Sequence, residues 1–290
     1  MKIDGKTRTC GLIGNPVEHT LSPVIHNNLA QMLGINLAYV PFLVEEKGLS
    51  KAVEGAYELN ILGMNVTVPH KSDVIAGLKE MDELAEKIGA VNTLVRCEGG
   101  YKGYNTDMSG LLRAMQTEGI HVKDEEVLLL GAGGAARAVA FLCAHQGAKK
   151  IYICNRTMNK AEAITDEIKV HMKDADIAAI RYEDIVSLPG EKFLAIQCTS
   201  VGLHPNVTDV VIGDGAIYDR IHTGVDLIYR PYETQFMKLV KKHGGKTMNG
   251  LKMLLYQGII AFELWNGCTV TEDQAELILQ KMKEELGIYE

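Results

Sequence analysis

The sequence predicts an α/β protein with two domains. Short apolar runs alternate with amphipathic helical stretches along the whole chain, a pattern typical of parallel sheets covered by helices. One apolar run leads into a glycine-rich turn near the middle of the chain, and the tail carries two helical patterns with no strand after them. With 290 residues, the chain is long enough for two packed domains.

The first half of the chain alternates strand-length apolar runs with helical stretches. We expect strands over residues 9–13, 38–43, 64–68, 91–95 and 101–104, and helices over residues 23–33, 49–59 and 80–88. The fourth strand turns into the fifth at Glu98-Gly99-Gly100, where two glycines favour a tight turn. These elements predict a first sheet with helices between its strands.

The second half repeats the alternation and predicts a second parallel sheet. Its strands are expected over residues 126–130, 150–154, 193–198 and 224–228, and two helices follow over residues 251–265 and 271–286. The motifs change in character across a helix predicted over residues 107–118. We therefore predict one domain from residues 1–107 plus 251–290 and another from residues 108–250.

Composition and charge exclude several classes of function. The 30 lysines and arginines are outnumbered by 37 acidic residues, so the formal net charge of −7 gives no overall attraction for nucleic acid or an anionic membrane. No apolar run approaches the roughly 20 residues of a membrane span, and the start lacks signal-peptide features, so we expect a cytoplasmic protein. The six cysteines are scattered singly and predict no metal site.

The glycine-rich turn has the sequence context of a phosphate-binding loop. A buried strand ends at Leu130, the turn follows, and an alanine-rich helix begins at once. Gly131 permits the tight turn, Gly133 lets the backbone approach a pyrophosphate, and Ala136 is the small residue where helix and strand pack closely. The N–H groups at the N-terminus of this helix would then meet the phosphates. An ordinary strand-to-helix turn is the alternative explanation. The context favours a Rossmann-type dinucleotide-binding domain.

The end of the next predicted strand favours NADP over NAD. An NAD site usually places an acidic residue here, some 20 residues after the glycines, to hold the ribose 2′-hydroxyl. This chain has Asn155, Arg156 and Thr157 instead, with Lys160 one turn further on. The Arg156 guanidinium can hold a 2′-phosphate through two hydrogen bonds, and Thr157 and Lys160 add further donors. The alternative is that Arg156 caps a solvated loop.

Three segments of the first half carry more polar side chains than the fold requires. They are His19-Thr-Leu-Ser-Pro23, Asn65-Val-Thr-Val-Pro-His-Lys71, and Asn92-Thr93 together with Tyr104-Asn-Thr-Asp107. Polar residues at the carboxyl ends of strands face the ligand crevice of an α/β domain. Each segment alone also has a structural explanation, since Ser22 begins a helix well and Lys71 could be a surface charge.

Taken together, the motifs of both halves resemble those of the shikimate dehydrogenase family. The resemblance runs from about Gly11 to Trp265, with the motifs in the same order and at compatible spacing. Besides the three polar segments, they are Gly14-Asn-Pro16, Gly89-Ala-Val-Asn-Thr93, Gly103-Tyr-Asn-Thr-Asp107, Gly131-Ala-Gly-Gly134, Asn155-Arg-Thr157, and Gly250-Leu-Lys-Met253 with Gln257.

The resemblance implies a fold and an activity. Residues 1–107 plus 251–290 would form the substrate domain, and residues 108–250 a Rossmann-type NADP-binding domain. The enzyme would use NADPH to reduce 3-dehydroshikimate reversibly to shikimate, a step of aromatic amino acid biosynthesis.

The resemblance also implies roles for individual residues. Lys71 and Asp107 would be the catalytic pair, with Lys71 as the acid and Asp107 orienting its ammonium. The substrate would contact Thr20 and Ser22 through its carboxylate, Asn65, Thr67, Asn92 and Gln257 through its ring hydroxyls, and Tyr229 at the border of the site. The cofactor would contact Gly131, Gly133, Gly134, Ala135, Asn155, Arg156, Thr157 and Lys160, with Gly250 at the nicotinamide amide.

One departure from the family pattern lies at the substrate carboxylate. The first of the two serines usual there is Thr20 in this chain, which keeps the hydroxyl and adds a methyl group. A quinate/shikimate dehydrogenase of broader substrate and cofactor use is an alternative, and a non-catalytic ligand-sensing relative is another. Lys71 and Asp107 argue against a sensor, which needs no acid. We expect a small-molecule substrate and a monomer or homodimer.

Overall fold

The structure is a computed structural model that describes residues 3–213 and 215–289. The chain folds into two compact units. One consists of the chain up to Gly110 together with the residues from Leu254 onward, and the other of Leu111–Met253. Within the described residues, each unit holds one six-stranded sheet, and the α/β class is confirmed.

Strands and helices alternate in the first unit. In chain order its elements are β1 (Arg8–Gly14), α1 (Ser22–Met32), β2 (Leu37–Leu43), α2 (Leu49–Glu58), β3 (Gly63–Val66), β4 (Glu80–Met81), α3 (Glu83–Ile88), β5 (Thr93–Cys97), β6 (Gly100–Tyr104) and α4 (Thr106–Thr117). The sheet order is β2-β1-β3-β5-β6-β4. β5 runs antiparallel to its neighbours β3 and β6, whereas the other described pairs are parallel.

The antiparallel strand corrects the expectation of parallel sheets throughout. β5 and β6 are joined by a tight turn at Glu98 and Gly99, and a turn this short can connect only antiparallel strands. Gly99 adopts a φ of +77° there, a conformation that favours glycine. As a result, the start of β5 lies at the same edge of the sheet as the ends of β1, β3 and β6.

The helix predicted over residues 80–88 is wrong at its start. Glu80 and Met81 pair with β6 as the edge strand β4. Asp82 then caps the start of α3, because its carboxylate accepts the backbone N–H groups of Leu84 and Ala85 at 3.3 and 3.2 Å. The capping aspartate therefore sets the boundary of this helix.

A parallel sheet forms the centre of the second unit. Its elements are β7 (Glu126–Leu130), α5 (Gly134–His145), β8 (Lys150–Cys154), α6 (Met158–His171), β9 (Ile177–Ile180), β10 (Phe193–Gln197), α7 (Gly215–Tyr218), β11 (Ile221–Asp226), α8 (Gln235–Lys242) and β12 (Lys246–Met248). The order β12-β11-β10-β7-β8-β9 reverses between β7 and β10, and all described pairs are parallel. This confirms the Rossmann-type sheet, with a switch point between β7 and β10.

The last two helices, α9 (Leu251–Asn266) and α10 (Glu272–Glu285), confirm the prediction for the tail. From α9, the Trp265 indole N–H donates to the Leu94 carbonyl of β5 at 2.9 Å. Gly110 of α4 lies against α9 so closely that a Cβ there would be 2.5 Å from the backbone nitrogen of Gln257. This close approach carries Gln257 towards the polar edge of the first sheet.

Asp226 ends β11 and is fully buried. Its Oδ1 accepts the N–H of Ile228 at 3.0 Å, and its Oδ2 accepts the hydroxyl of Thr234 at 2.6 Å. Thr234 in turn begins α8, where its Oγ1 accepts the N–H of Met237. Burial raises the pKa of Asp226 from 3.8 to about 6. The carboxylate fixes the segment between β11 and α8, and its charge is costly there.

Two helical glycines give a matched test of the contact between α4 and α9. Gly110→Ala should lower the free energy of unfolding by about 1–3 kcal/mol, because the new methyl group meets backbone that cannot move aside. Gly55→Ala in α2 should raise it by roughly 0.5–1 kcal/mol, because no atom lies within 4 Å of the added Cβ. Urea denaturation followed by the fluorescence of Trp265 measures both, and effects of the same sign would contradict the contact.

Asp226 should make the protein less stable as the pH rises from about 4 to 6. The folded state holds the proton up to about pH 6, whereas the unfolded chain releases it near pH 4. This contribution to stability is therefore complete below about pH 4 and is lost as the pH rises through 6, a total of about 3 kcal/mol. In urea titrations between about pH 4 and 7, Asp226→Asn should gain stability relative to the wild type. A difference that is constant with pH would disprove the assignment.

Candidate active site

The polar segments of the first unit converge at one edge of its sheet. β1, β3 and β6 end at this edge, and the antiparallel β5 begins there. Asn92 stands directly before β5, where its carbonyl accepts the N–H of Val66 at 2.8 Å and its N–H donates to the Tyr104 carbonyl at 3.0 Å. The reversed direction of β5 therefore places Asn92 between the ends of β3 and β6.

Lys71 and Asp107 meet at this edge. Lys71 lies in the loop after β3 and Asp107 in the first turn of α4, and Lys71 Nζ donates a hydrogen bond to Asp107 Oδ2 at 2.7 Å. Their side chains are 34% and 20% exposed, so a small molecule can reach both. An ammonium has three N–H donors, of which Asp107 takes one. Lys71 keeps donors for a ligand oxygen, and Asp107 keeps lone pairs for a ligand hydroxyl.

Asn92 organises the buried groups beside this pair. Its side-chain oxygen accepts the backbone N–H of Thr106 at 2.7 Å and the hydroxyl of Thr93 at 3.1 Å, and its amide nitrogen donates to Thr106 Oγ1 at 3.0 Å. The Thr106 N–H can only donate, so it fixes which way the Asn92 amide faces. Thr106 also begins α4, and Asn92 therefore holds the start of the helix that carries Asp107.

Gln257 reaches the same cluster from α9. Its Oε1 lies 3.5 Å from Asn92 Nδ2, and its Nε2 donates to the Leu254 carbonyl at 2.8 Å. The residue is buried, and the absence of a side chain at Gly110 allows its approach. The fold thus joins Asn92 and Gln257, which are 165 positions apart in the sequence.

The protein itself fills the hydrogen-bonding capacity of Asn65. Its Oδ1 accepts the Tyr39 hydroxyl at 2.7 Å and the His26 Nε2 at 3.1 Å. Its Nδ2 donates to Thr93 Oγ1 at 3.1 Å and lies 3.4 Å from the Asn92 carbonyl oxygen. An asparagine amide has two donor hydrogens and two acceptor lone pairs, so no group remains for a ring hydroxyl. The arrangement favours support of the site over contact with a ligand.

Thr20 and Ser22 lie next to each other after β1. Thr20 Oγ1 donates to Ser22 Oγ at 3.1 Å and accepts the Ser22 N–H at 3.2 Å. Thr20 is partly exposed, whereas Ser22 is buried. Thr67 follows β3, and its methyl group occupies the space that a side chain at Gly14 would need.

In the second unit, a cleft of about 340 Å³ opens at the switch point between β7 and β10. Its lining residues are Gly131, Ala132, Gly133, Asn155, Arg156, Thr157, Lys160, Cys198, Thr199 and Ser200. The structure therefore brings together the glycine turn and the segment after β8, the two parts of the predicted cofactor site.

The start of α5 offers unpaired N–H groups in this unit. Gly133 precedes the helix with extended backbone, and no described side chain caps it, so the N–H groups from Gly134 and Ala135 onward lack helical partners. A Cβ at Gly133 or Gly134 would meet nothing within 4 Å. Gly131 has a φ of +117°, and a Cβ there would lie 2.7 Å from the Thr199 methyl group. This turn has the geometry and the open space to receive a phosphate.

Arg156, Thr157 and Lys160 line the same cleft and are exposed. Neither Arg156 nor Lys160 forms an ion pair with a residue in the described ranges. Thr157 precedes α6 without using its hydroxyl as a cap, and Asn155 Nδ2 holds the turn by donating to the Thr157 carbonyl at 2.9 Å. Two cations and a hydroxyl are therefore available for an anionic ligand.

Sequence reasoning missed Cys198, Thr199 and Ser200, as well as Ala132. The first three follow β10, and the buried Gln197 holds them, because its Oε1 accepts the Thr199 N–H at 2.8 Å and the Thr199 hydroxyl at 2.6 Å. Burial raises the pKa of the Cys198 thiol well above its ordinary value, so this thiol is an unreactive lining group. A Thr-Ser pair directly after a buried predicted strand is the signal that could have found them.

Gly250 and Tyr229 are not among the residues that line this cleft. The Gly250 N–H donates to the Ile228 carbonyl at 3.0 Å, and a Cβ on Gly250 would overlap the Leu227 carbonyl oxygen. This close approach of two backbones requires glycine on structural grounds alone. Tyr229 is partly buried, and burial raises the pKa of its hydroxyl.

The described residues contain no cluster of three or more histidine, cysteine or acidic side chains that could hold a metal ion. The six cysteines are all unpaired. No helix in the described part of the chain is both long and apolar enough to cross a membrane.

Three family models match the chain in order. Residues 12–94 match the shikimate dehydrogenase substrate binding domain, and residues 113–201 match the model of shikimate / quinate 5-dehydrogenase. Residues 250–274 match the shikimate 5′-dehydrogenase C-terminal domain.

Several known proteins match this chain over nearly its whole length. The shikimate dehydrogenase (NADP(+)) of Desulforamulus reducens is 44% identical, with 97% of each chain covered. The shikimate 5-dehydrogenase of Listeria monocytogenes, solved with shikimate and NAD, has a TM-score of 0.89 at 31% identity, covering 96% of this chain and 98% of that one. The Thermus thermophilus enzyme, solved with NADP(H) and shikimate, has a TM-score of 0.84 at 32% identity, covering 95% and 99%. The chain belongs to the shikimate dehydrogenase family.

Proposed function

We propose that this protein catalyses the reversible reduction of 3-dehydroshikimate to shikimate with NADPH, a step of aromatic amino acid biosynthesis. The observation that carries the proposal is the hydrogen-bonded pair of Lys71 and Asp107 at the sheet edge that also holds Asn92 and Gln257. Curated relatives of the same length bear the name shikimate dehydrogenase (NADP(+)).

The pair supplies the acid–base chemistry that a ketone reduction needs. NADPH supplies the hydride when it is bound, and negative charge then develops on the carbonyl oxygen of the substrate. The Lys71 ammonium has N–H donors beyond the one that Asp107 takes, so it can donate a proton to this oxygen. In the oxidation direction the neutral amine takes the proton back. Asp107 holds the ammonium in place and can accept a hydrogen bond from a ring hydroxyl.

We assign the substrate to residues 1–107 plus 251–290. Thr20 and Ser22 would bind its carboxylate, because the partly exposed Thr20 hydroxyl can turn from Ser22 towards a ligand. Thr67, Asn92 and Gln257 would hydrogen-bond its ring hydroxyls, with Tyr229 at the border of the site. Asn65 lacks a free donor or acceptor, and we assign it to the support of Asn92 and Thr93.

We assign NADP to residues 108–250. The pyrophosphate would lie over Gly131, Gly133, Gly134 and Ala135, where the start of α5 presents unpaired N–H groups. Arg156, Thr157 and Lys160 would bind the 2′-phosphate, and the turn at Asn155 would hold them in place. Gly250 would meet the nicotinamide amide.

Broader substrate use is a second candidate function. The central family model also covers quinate dehydrogenases, and the Listeria relative was solved with NAD. Thr20 favours shikimate, because its branched side chain is stiff and leaves less room for the additional hydroxyl of quinate. A ligand-sensing protein without turnover is disfavoured by the Lys71–Asp107 pair. We further propose a cytoplasmic monomer or homodimer, since unpaired cysteines suit a reducing compartment.

The function is tested by turnover of the purified protein with shikimate or quinate and each oxidised cofactor. We expect reduced NADP to form with shikimate and at most slow oxidation of quinate. Lys71→Met should lower kcat by roughly 10²–10⁴-fold with a smaller effect on KM, because it removes the acid. Lys79→Met, at an exposed lysine in the same segment, is the control and should keep wild-type rates. Faster oxidation of quinate, or normal turnover without Lys71, would refute the corresponding assignment.

The cofactor assignment is tested at Arg156. Arg156→Ala should weaken the binding of NADP⁺ by roughly 10–150-fold and the binding of NAD⁺ much less, because only NADP⁺ carries the 2′-phosphate. This range corresponds to the loss of a charge-assisted hydrogen bond of about 1.5–3 kcal/mol. Arg181→Ala removes an exposed arginine outside the cleft and should leave both cofactors unaffected. The dissociation constants follow from fluorescence titration. Equal losses for the two cofactors would exclude Arg156 from the phosphate site.

A further inference from the structure

His26 of α1 lies fully buried beside Asn65. Its ring stacks on Tyr39 with the centroids 4.2 Å apart and contacts Trp265 at 4.9 Å. The ring makes one polar contact, between Nε2 and Asn65 Oδ1, and its buried Nδ1 has no partner among the described residues. An apolar side chain could fill this space without leaving a buried polar atom unpaired. Packing therefore does not account for a histidine here.

The backbone of Asn92 fixes the direction of the bond between His26 and Asn65. The Asn92 carbonyl can only accept, so the Asn65 amide nitrogen must face it. Asn65 Oδ1 then faces His26 and Tyr39, and both of these must donate. His26 consequently carries its proton on Nε2, and Nδ1 is a bare lone pair.

A chain of hydrogen bonds leads from His26 to the site. Burial lowers the pKa of His26 to about 3, so the ring is neutral near pH 7 and its single donor is used on Asn65. Asn65 donates to the Thr93 hydroxyl, and this hydroxyl donates to Asn92 Oδ1 at 3.1 Å. Asn92 then holds the start of the helix that carries Asp107.

We propose that His26 is a positioning residue for the dehydrogenase reaction, which holds the Asn65 amide in the orientation that aligns Asn92. His26 does not reach the substrate, since it is fully buried. Without the His26 donor, the Asn65 side-chain oxygen keeps only the hydrogen bond from the Tyr39 hydroxyl, and the amide is free to tilt. A tilt of this amide displaces Thr93 and then Asn92. The kinetic consequence rests on the proposed function, whereas the proton position on His26 follows from the hydrogen bonds alone.

Two substitutions separate the donor from the volume of His26. His26→Leu fills the space without a donor, and the side-chain amide of His26→Gln can donate from a similar position. His26→Leu should lower kcat/KM for shikimate about 10- to 100-fold and leave the KM for NADP⁺ unchanged, because small displacements of site groups are costly. His26→Gln should recover activity to within about threefold of the wild type. Circular dichroism and melting curves establish that both variants are folded at the assay temperature.

A double-mutant cycle tests whether His26 acts through Asn65. His26→Leu should have little further effect in an Asn65→Ala background, whereas full additivity would overturn the proposal. Unchanged kcat/KM in His26→Leu, or equal losses in the Leu and Gln variants, would also overturn it. A wild type that does not turn over shikimate would refute the proposed function instead.

Nitrogen NMR of the imidazole rings tests the inference without an activity measurement. Because it is carried out on the wild type, it remains valid even if the His26→Leu variant fails to fold. The chain has nine histidines, so the His26 signals are assigned by their loss in His26→Gln. Near neutral pH, wild-type His26 should show a neutral ring with a protonated Nε2 and a bare Nδ1. A protonated Nδ1 would overturn the proposal.

Discussion

The polar edge of the first sheet depends on one constraint, which is that the buried side-chain amides of Asn65 and Asn92 must find partners of the opposite kind. Two backbone groups set the pattern because neither can change its role. The Asn92 carbonyl only accepts and the Thr106 N–H only donates, so each determines which end of one asparagine amide faces it. A flipped amide would bring acceptor against acceptor, and an unpaired buried group costs about 1–3 kcal/mol. Thr93 then links the two amides.

An anionic cofactor can bind to this chain despite its net charge of −7, because only the charges close to the cleft act strongly on the ligand. The Debye length at physiological ionic strength is about 8 Å, so the acidic residues of the rest of the surface act weakly on a ligand in the cleft. Inside the cleft, Arg156 and Lys160 lack acidic partners among the residues described. The start of α5 adds partial positive charge that no titration can remove.

The sequence alone predicts the central strands of the second sheet better than its edge strands, and it predicts the site of the first unit least. β7 and β8 coincide with predicted strands because strands buried on both faces are continuous apolar runs. β9 and β12 are edge strands of four and three residues, too short for such a run. The direction of β5 is not encoded in its own residues, and β11 begins at Ile221, ahead of the predicted start.

The contact between Lys71 and Asp107 joins residues 36 positions apart, which only the resemblance brought together. His26 looks like an ordinary core residue until its partner is known.

The proposed contact of Thr20 with a substrate carboxylate competes with a hydrogen bond that the protein already makes. The Thr20 hydroxyl donates to Ser22 Oγ at 3.1 Å. A ligand must therefore draw the Thr20 hydroxyl away from an existing hydrogen bond. A neutral acceptor would exchange one bond of about 0.5–1.5 kcal/mol for another, whereas a carboxylate offers a charge-assisted bond of about 1.5–3 kcal/mol. Under the proposed function, Thr20 therefore favours an acidic ligand over a neutral one, because only the acid replaces the hydrogen bond to Ser22 with a stronger one.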